Sequence, residues 1–181
     1  MKSVKEMNME ELAAYVCTAL ENEGIDTVLS GGCCVELYSH GRYTSDDIDL
    51  IDRYNGGHRK IKEIMEKLGF REYSMKRYFV HDDTSFFIEF PRGPLGVEDA
   101  PVEKIATRKS ETGILKLLTP TDCIKDRLAA YYHWGDTQSL EQAVWVAQAN
   151  DFDMESIRVW SLNEGMHEKY TIFENNAKEE K

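Results

Sequence analysis

Asp47-Ile48-Asp49-Leu50 sets two carboxylates two residues apart in a run that alternates acid and aliphatic. In a strand, such a run turns both acids to one face and both aliphatic side chains to the other. Carboxylates about 7 Å apart along a strand repel one another unless a cation lies between them. Mg2+ (or Mn2+) is the natural choice, because it takes hard oxygen ligands and shares them with phosphates. Asp46 is a third acid, but alternation turns it to the opposite face, so it reads as a turn or cap residue. Glu89 is the lone acid of Phe86-Phe-Ile-Glu-Phe90. If that stretch is a strand beside the Asp strand, Glu89 faces the same site. Three carboxylates on adjacent strands are able to hold two divalent ions, which activate an attacking oxygen and steady phosphates.

Ser30-Gly31-Gly32 lies upstream, after the apolar run Ile25 to Leu29. Paired glycines let backbone N–H groups approach a phosphate. A helix opening there adds a favourable dipole, and the Ser30 hydroxyl supplies a further bond. Each feature alone has a plainer reading. A glycine pair is usually a turn, an Asp-x-Asp is usually a solvated strand edge, and Glu89 alone suits a half-buried strand. Their order carries the argument: strand, Gly-Gly, short helix, Asp-x-Asp strand, later acidic strand. That order makes a loop for phosphates facing acids for a metal.

The elements that must position these residues are legible in part. Asn8 with Glu11 predicts a helix start of the capping-box type, and Leu12, Val16, Ala19 and Leu20 then share a face. Gly24 ends that helix. Cys33 to His40 reads as a short helix stopped by Gly41, and Asp47 to Asp52 as a strand. Asn55-Gly56-Gly57 predicts a turn. Ile61, Ile64, Met65 and Leu68 predict an amphipathic helix closed by Gly69. Short strands are predicted at Phe70 to Ser74, Arg77 to His81 and Ser85 to Phe90, with Asp82-Asp83 as a hairpin turn. Two more are predicted at Lys104 to Arg108 and Gly113 to Leu118. After Leu118 the pattern is helical only. Thr119 caps a helix with Pro120 at its first position; Ser139 to Gln142 starts a second, and Asp153 a third with Ile157 and Trp160 inward. From Asn175 the chain is polar and predicted to fray. The expectation is an α/β (α+β) core over residues 1–118, with helices of 119–181 packed upon it.

Composition narrows the functional classes. The 181 residues carry a net charge of -11, which argues against a broad electrostatic grip on duplex nucleic acid. A small nucleotide held through a metal remains compatible with it. Arg53, Arg59, Lys60, Lys62, Lys67, Arg71, Lys76 and Arg77 make one segment locally basic, and Glu63 and Glu66 among them favour a solvated helix face over a nucleic-acid patch. Cysteines 17, 33, 34 and 123 show no Cys-x-x-Cys and no zinc spacing, so they read as small buried residues. His133-Trp134, Tyr131 and Tyr132 read as packing residues. The N-terminus lacks the apolar stretch of a signal peptide. No run reaches the roughly 18 apolar residues of a membrane span. The expected location is cytoplasmic.

Gly31-Gly32, a short helix, Gly41-Arg42-x-Thr44 and Asp47-Ile-Asp49 together resemble the DNA polymerase β-like nucleotidyltransferase superfamily. The likeness is closest to its small prokaryotic members, among them abortive-infection toxin-like and uncharacterised proteins. It is firmest over residues 25–52 and extends more loosely to residue 90. The resemblance implies a mixed sheet flanked by helices. It implies Asp47, Asp49 and Glu89 as metal-binding and catalytic acids, and Ser30, Gly31 and Gly32 as the nucleotide loop. The helical end, Leu118-Thr-Pro-Thr-Asp-Cys-Ile-Lys-Asp-Arg, is similar to the tail of the same group, in which Lys125 or Arg127 would reach the phosphates. Arg42 is a further candidate for phosphate or acceptor, its plainer role being an ion pair with nearby acids. The implied reaction moves a nucleoside monophosphate from a nucleoside triphosphate to a hydroxyl of RNA, protein or a small molecule. Gly-Gly stands where many catalytic members have Gly-Ser, and Glu89 where Asp is commoner. The alternative is a non-catalytic nucleotide-binding protein, or a toxin–antitoxin partner of the same fold.

Overall fold

Asn8 opens the first long helix as its pairing with Glu11 requires. Its side chain accepts from the Glu11 N–H at 2.9 Å, while the Glu11 carboxylate accepts from the Asn8 N–H at 2.9 Å. The computed structural model describes residues 2–54, 57–73, 77–97 and 100–179. Asn55 and Gly56 of the predicted turn, Ser74 at the end of a predicted strand, and Lys76 lie outside them. After a 3-10 turn at Val4–Glu6, the helix α1 spans Met9–Asn22 and buries Leu12, Val16 and Leu20. Strand β1 spans Thr27–Ser30, helix α2 Gly31–Tyr38 and strand β2 Asp47–Asp52. Helix α3, His58–Lys67, buries Ile61, Ile64 and Met65. Short strands follow: β3 Arg71–Glu72, β4 Tyr78–Val80, β5 Phe87–Glu89, β6 Gly96–Val97 and β7 Ala100–Pro101. The long hairpin β8 Ile105–Ser110 and β9 Gly113–Leu118 completes the α/β part.

Among the described residues, one seven-stranded sheet runs in the order β3-β4-β5-β2-β1-β9-β8, and β6 pairs with β7 apart from it. It is mixed. β1 is antiparallel to β2 and parallel to β9, and β2 is parallel to β5. Alternation along β2 sends Ile48 and Leu50 into the core, where both are fully buried, and leaves Asp47 and Asp49 on the other face. The sheet therefore anchors the acids through the aliphatic residues between them.

Four helices follow: α4 Pro120–Trp134, α5 Thr137–Ala149, α6 Met154–Asn163 and α7 His167–Lys178. The Thr119 hydroxyl accepts from the Asp122 N–H at 3.1 Å and donates to the Asp122 carboxylate at 2.8 Å. Thr119→Ala removes this cap and is expected to cost about 1 kcal/mol, read as a lower midpoint in urea unfolding with an unchanged slope. The second helix of this part is capped by Asp136, not by Ser139, whose hydroxyl instead bonds the Asp136 carboxylate at 2.6 Å. The expected fray at Asn175 is also corrected. Buried Tyr170 and Phe173 anchor α7, Lys178 pairs with Glu174 at 3.0 Å, and the helix continues to Lys178. Tertiary anchoring overrides the polar composition of that end.

The Asn150 amide donates to the Tyr38 carbonyl at 2.8 Å, tying the helical part to the sheet part, and within the sheet part the Tyr38 hydroxyl donates to the Leu118 carbonyl at 2.8 Å. Tyr132 stacks on Trp160 with centroids 5.5 Å apart. The basic segment is absorbed by ion pairs: Arg59 with Glu63, Lys62 with Glu72, Arg71 with Asp82 and Arg53 with Asp26. His133 lies 3.4 Å from Glu164. All four cysteines are free and buried. Among the described residues, no helix is long and apolar enough to cross a membrane.

Candidate active site

β1 passes into α2 with no intervening residue. Gly31 makes the change of direction alone, with φ +62°, a conformation that costs a residue with a Cβ about 1–2 kcal/mol. Its missing side chain also makes room. A Cβ on Gly31 would lie 2.0 Å from Oδ2 of Asp49, so the Asp49 carboxylate packs against the first residue of α2. There the helix dipole favours negative charge. A Cβ on Gly32 would lie 2.8 Å from Oγ of Ser45 and 3.0 Å from Tyr43. The loop before β2 folds over that glycine. The Ser45 N–H donates to Glu36 at 2.9 Å, and the Ser45 hydroxyl donates to the Asp47 carbonyl at 3.2 Å. Cys33 donates its thiol to the same carbonyl at 3.0 Å. Burial pushes that thiol up to about 12, so Cys33 is a packing residue and a donor rather than a nucleophile. Ser30 is buried, and its side chain does not cap α2.

Register completes the arrangement. Ser30 pairs with Asp49 across β1 and β2, and Asp49 with Glu89 across the parallel strands β2 and β5. Asp49 and Glu89 are thus lateral neighbours on one face of the sheet. Burial, and then the Glu89 charge, raise the Asp49 carboxyl to about 7; Arg127 pulls the other way, and Asp126 and Asp47 add to the rise. Asp47 is exposed at the start of its strand. Arg127 reaches this cluster from α4, with Nε and Nη2 at 3.0 and 2.5 Å from Oδ2 of Asp126. Burial opposes the Arg127 charge, but Asp126 in contact and Asp49 nearby hold the guanidinium above its ordinary value.

Not all the residues singled out in the sequence gather here. Lys125 lies two positions before Arg127, about 200° around the helix, and faces elsewhere. Its ammonium donates to the Ser156 hydroxyl at 2.9 Å. It lines a separate cavity of about 320 Å³ with Lys104, Thr121, Asp122 and Asp153. Arg42 donates to the Gln148 side chain on α5 at 3.1 Å. Among the described residues it forms no ion pair with the acids, which is its plainer reading. Two members of the cluster were not recognised as such from sequence. Asp126 carries no periodic signal. In the sequence Arg77 is only one of a basic segment, yet its Nε lies 2.9 Å from the Glu89 carboxylate.

The donor set suits a hard divalent cation. Asp49 and Glu89 are oxygen donors, side by side, largely buried and mutually repelling, with Asp47 two residues away on the same face. Among the described residues, no three His, Cys, Asp or Glu side chains stand close enough together to hold a metal ion. Glu89 is drawn toward Arg77, and Asp47 stands out in solvent.

No family model matches the chain, and no curated protein does. Solved structures do. The solution structure of the antibiotic-resistance factor ANT(2'')-Ia is similar over 89% of this chain and 92% of its own, with a TM-score of 0.51 and 18% identity. A crystal structure of ANT(2'')-Ia in complex with adenylyl-2''-tobramycin is similar over 89% and 94%, with a TM-score of 0.45 and 17% identity. The likeness to the first is one of fold: this chain shares its mixed α/β architecture.

Proposed function

We propose that this protein is a metal-dependent nucleotidyltransferase, moving a nucleoside monophosphate from a nucleoside triphosphate to an acceptor hydroxyl. The observation that carries this reading is the junction of three elements. The glycine-initiated N-terminus of α2 closes on Asp49, and Asp49 lies in register with Glu89. The sheet part, residues 1–118, supplies loop and acids; the helical part, 119–181, supplies Arg127.

Asp47 and Asp49 would hold a divalent ion, Mg2+ or Mn2+, with Glu89 as the third acid of the cluster. When bound, such an ion offsets the charge of the triphosphate and polarises the phosphoryl group. The chain's own groups do the rest. Ser30, Gly31 and Gly32 bring the N–H groups of α2 to phosphate oxygens. Arg127, oriented by Asp126, meets charge that grows on the departing pyrophosphate. The acceptor oxygen bonds to the α-phosphorus, the bond to the pyrophosphate oxygen breaks, and the hydroxyl proton passes to a carboxylate of the cluster. The net charge of -11 and the ion-paired state of the basic segment favour a small or cationic acceptor over a long nucleic acid.

The test uses each α-labelled nucleoside triphosphate with Mg2+ or Mn2+ and fractions of RNA, protein or small molecules. Label should appear in one fraction and fall by about 10²–10³-fold in Asp47→Asn. Transfer that survives in the Asp47→Asn, Asp49→Asn double variant would overturn the assignment. Nucleotide binding without any transfer would support a non-catalytic role, such as one half of a toxin–antitoxin pair.

A further inference from the structure

Glu89 has a partner before any metal arrives. Arg77 stands just ahead of β4, which pairs antiparallel with β5 so that Tyr78 faces Glu89 across the ladder. The Phe90 N–H donates to the Arg77 carbonyl at 2.9 Å, fixing the backbone from which the guanidinium reaches back. Arg77 Nε comes to 2.9 Å from Glu89 Oε1. That nitrogen is buried and has no well-aligned hydrogen bond, so the contact is primarily one of charge. Tyr78 holds the other end of the guanidinium, accepting from Nη2 at 3.3 Å with its ring 5.2 Å below the central carbon.

The balance of charge in the cluster is informative. With Asp49 ionised, as a bound cation would require, Asp47, Asp49, Glu89 and Asp126 bring four negative charges. Arg77 and Arg127 bring two positive charges. The deficit of two is that of one divalent ion. A second ion on Glu89 would have to displace Arg77 or sit against it, and like charges at contact distance repel strongly in a part-buried site.

We propose that Arg77 is a fixed cation of the site, holding Glu89 so that the protein loads a single divalent ion on Asp47 and Asp49 in place of two. This rests on the nucleotidyltransferase reading and adds a positioning residue to it. Arg77 meets neither substrate nor the reacting atoms; it occupies the carboxylate that a second ion would need.

Mn2+ alone is titrated into the metal-free protein, and free Mn2+ is counted by electron paramagnetic resonance. One ion per chain is expected for the wild type, and Glu89→Gln should leave that count unchanged. Arg77→Gln should admit a second ion or tighten the first by about tenfold, and Arg77→Lys should restore the single ion. Two ions on the wild type would overturn the proposal and leave the nucleotidyltransferase reading standing. So would an Arg77→Gln variant with unchanged count and affinity. A wild type that takes up no Mn2+, at concentrations where Asp47→Asn also takes up none, would overturn the metal-dependent reading and this proposal with it. Arg77 is part-exposed, with 42% of its side chain accessible, and circular dichroism verifies that each variant is folded.

Discussion

Asp49→Asn is expected to make the metal-free protein more stable at pH 8 while abolishing nucleotidyl transfer. Burial and the Glu89 charge raise the Asp49 carboxyl from 3.8 to about 7 in the folded chain. Between those values the folded state holds a proton that the unfolded state has lost. Its stability is therefore greatest below about pH 4, and declines as pH rises until Asp49 is ionised in both states. Above pH 7 the full difference is paid, about 4 kcal/mol at 1.36 kcal/mol per unit. Asn keeps the shape and lacks the charge. The gain of the variant over the wild type should be near zero at pH 4, grow up to pH 7 and level off beyond it. At pH 8 it should reach about 10 °C in melting temperature for a chain of this size. Thermal unfolding in a chelator across pH 4–9 reads it directly. A gain that is flat with pH would sink the electrostatic account. Adding Mg2+ at pH 8 should stabilise the wild type and not the variant, because the ion relieves a repulsion that only the wild type has.

That repulsion was only half visible in the sequence. Alternation from Asp47 to Asp52 predicts a strand, and β2 has those bounds because its aliphatic residues have a core to enter. The caps at Asn8, Thr119 and Asp153 were equally legible, since a cap is a contact between near neighbours. Strand pairing is not local. Nothing in Phe86–Phe90 says that β5 lies parallel to β2 with Glu89 level with Asp49, nor that Arg77 lies behind Glu89. Lys125 and Arg127 looked equivalent as cations near a helix start. Their separation around α4 decides which one meets Asp126 and Asp49, and that depends on which face of the helix packs on α2. The glycine pair in the sequence suggests an approach for phosphate; the structure adds that both glycines clear space for the protein's own side chains.

Gly31→Ala should be strongly damaging for a single methyl group, and its damage should depend on Asp49. Two costs arise at once. The backbone at φ +62° strains an alanine by about 1–2 kcal/mol. Separately, the new Cβ would lie 2.0 Å from Oδ2 and 2.9 Å from Cγ of Asp49, closer than any real contact, so something must move. Asp49 has little freedom to do so: its strand is in register with Ser30 on one side and Glu89 on the other, and Ile48 and Leu50 beside it are fully buried. Either the α2 N-terminus tilts away, opening the loop, or β2 loses register. Both remove the junction on which nucleotide binding is proposed to depend. The expected loss is more than about 3 kcal/mol in urea unfolding, with nucleotide affinity lost even under conditions where the variant is folded. The Asp49→Gly background separates the two costs. With the carboxylate gone the clash goes too, and Gly31→Ala should then cost only the 1–2 kcal/mol of backbone strain. The coupling between the two positions should therefore exceed about 1 kcal/mol. Additive costs would mean that α2 yields to the methyl group without touching Asp49, and that the loop and the acid are not one unit.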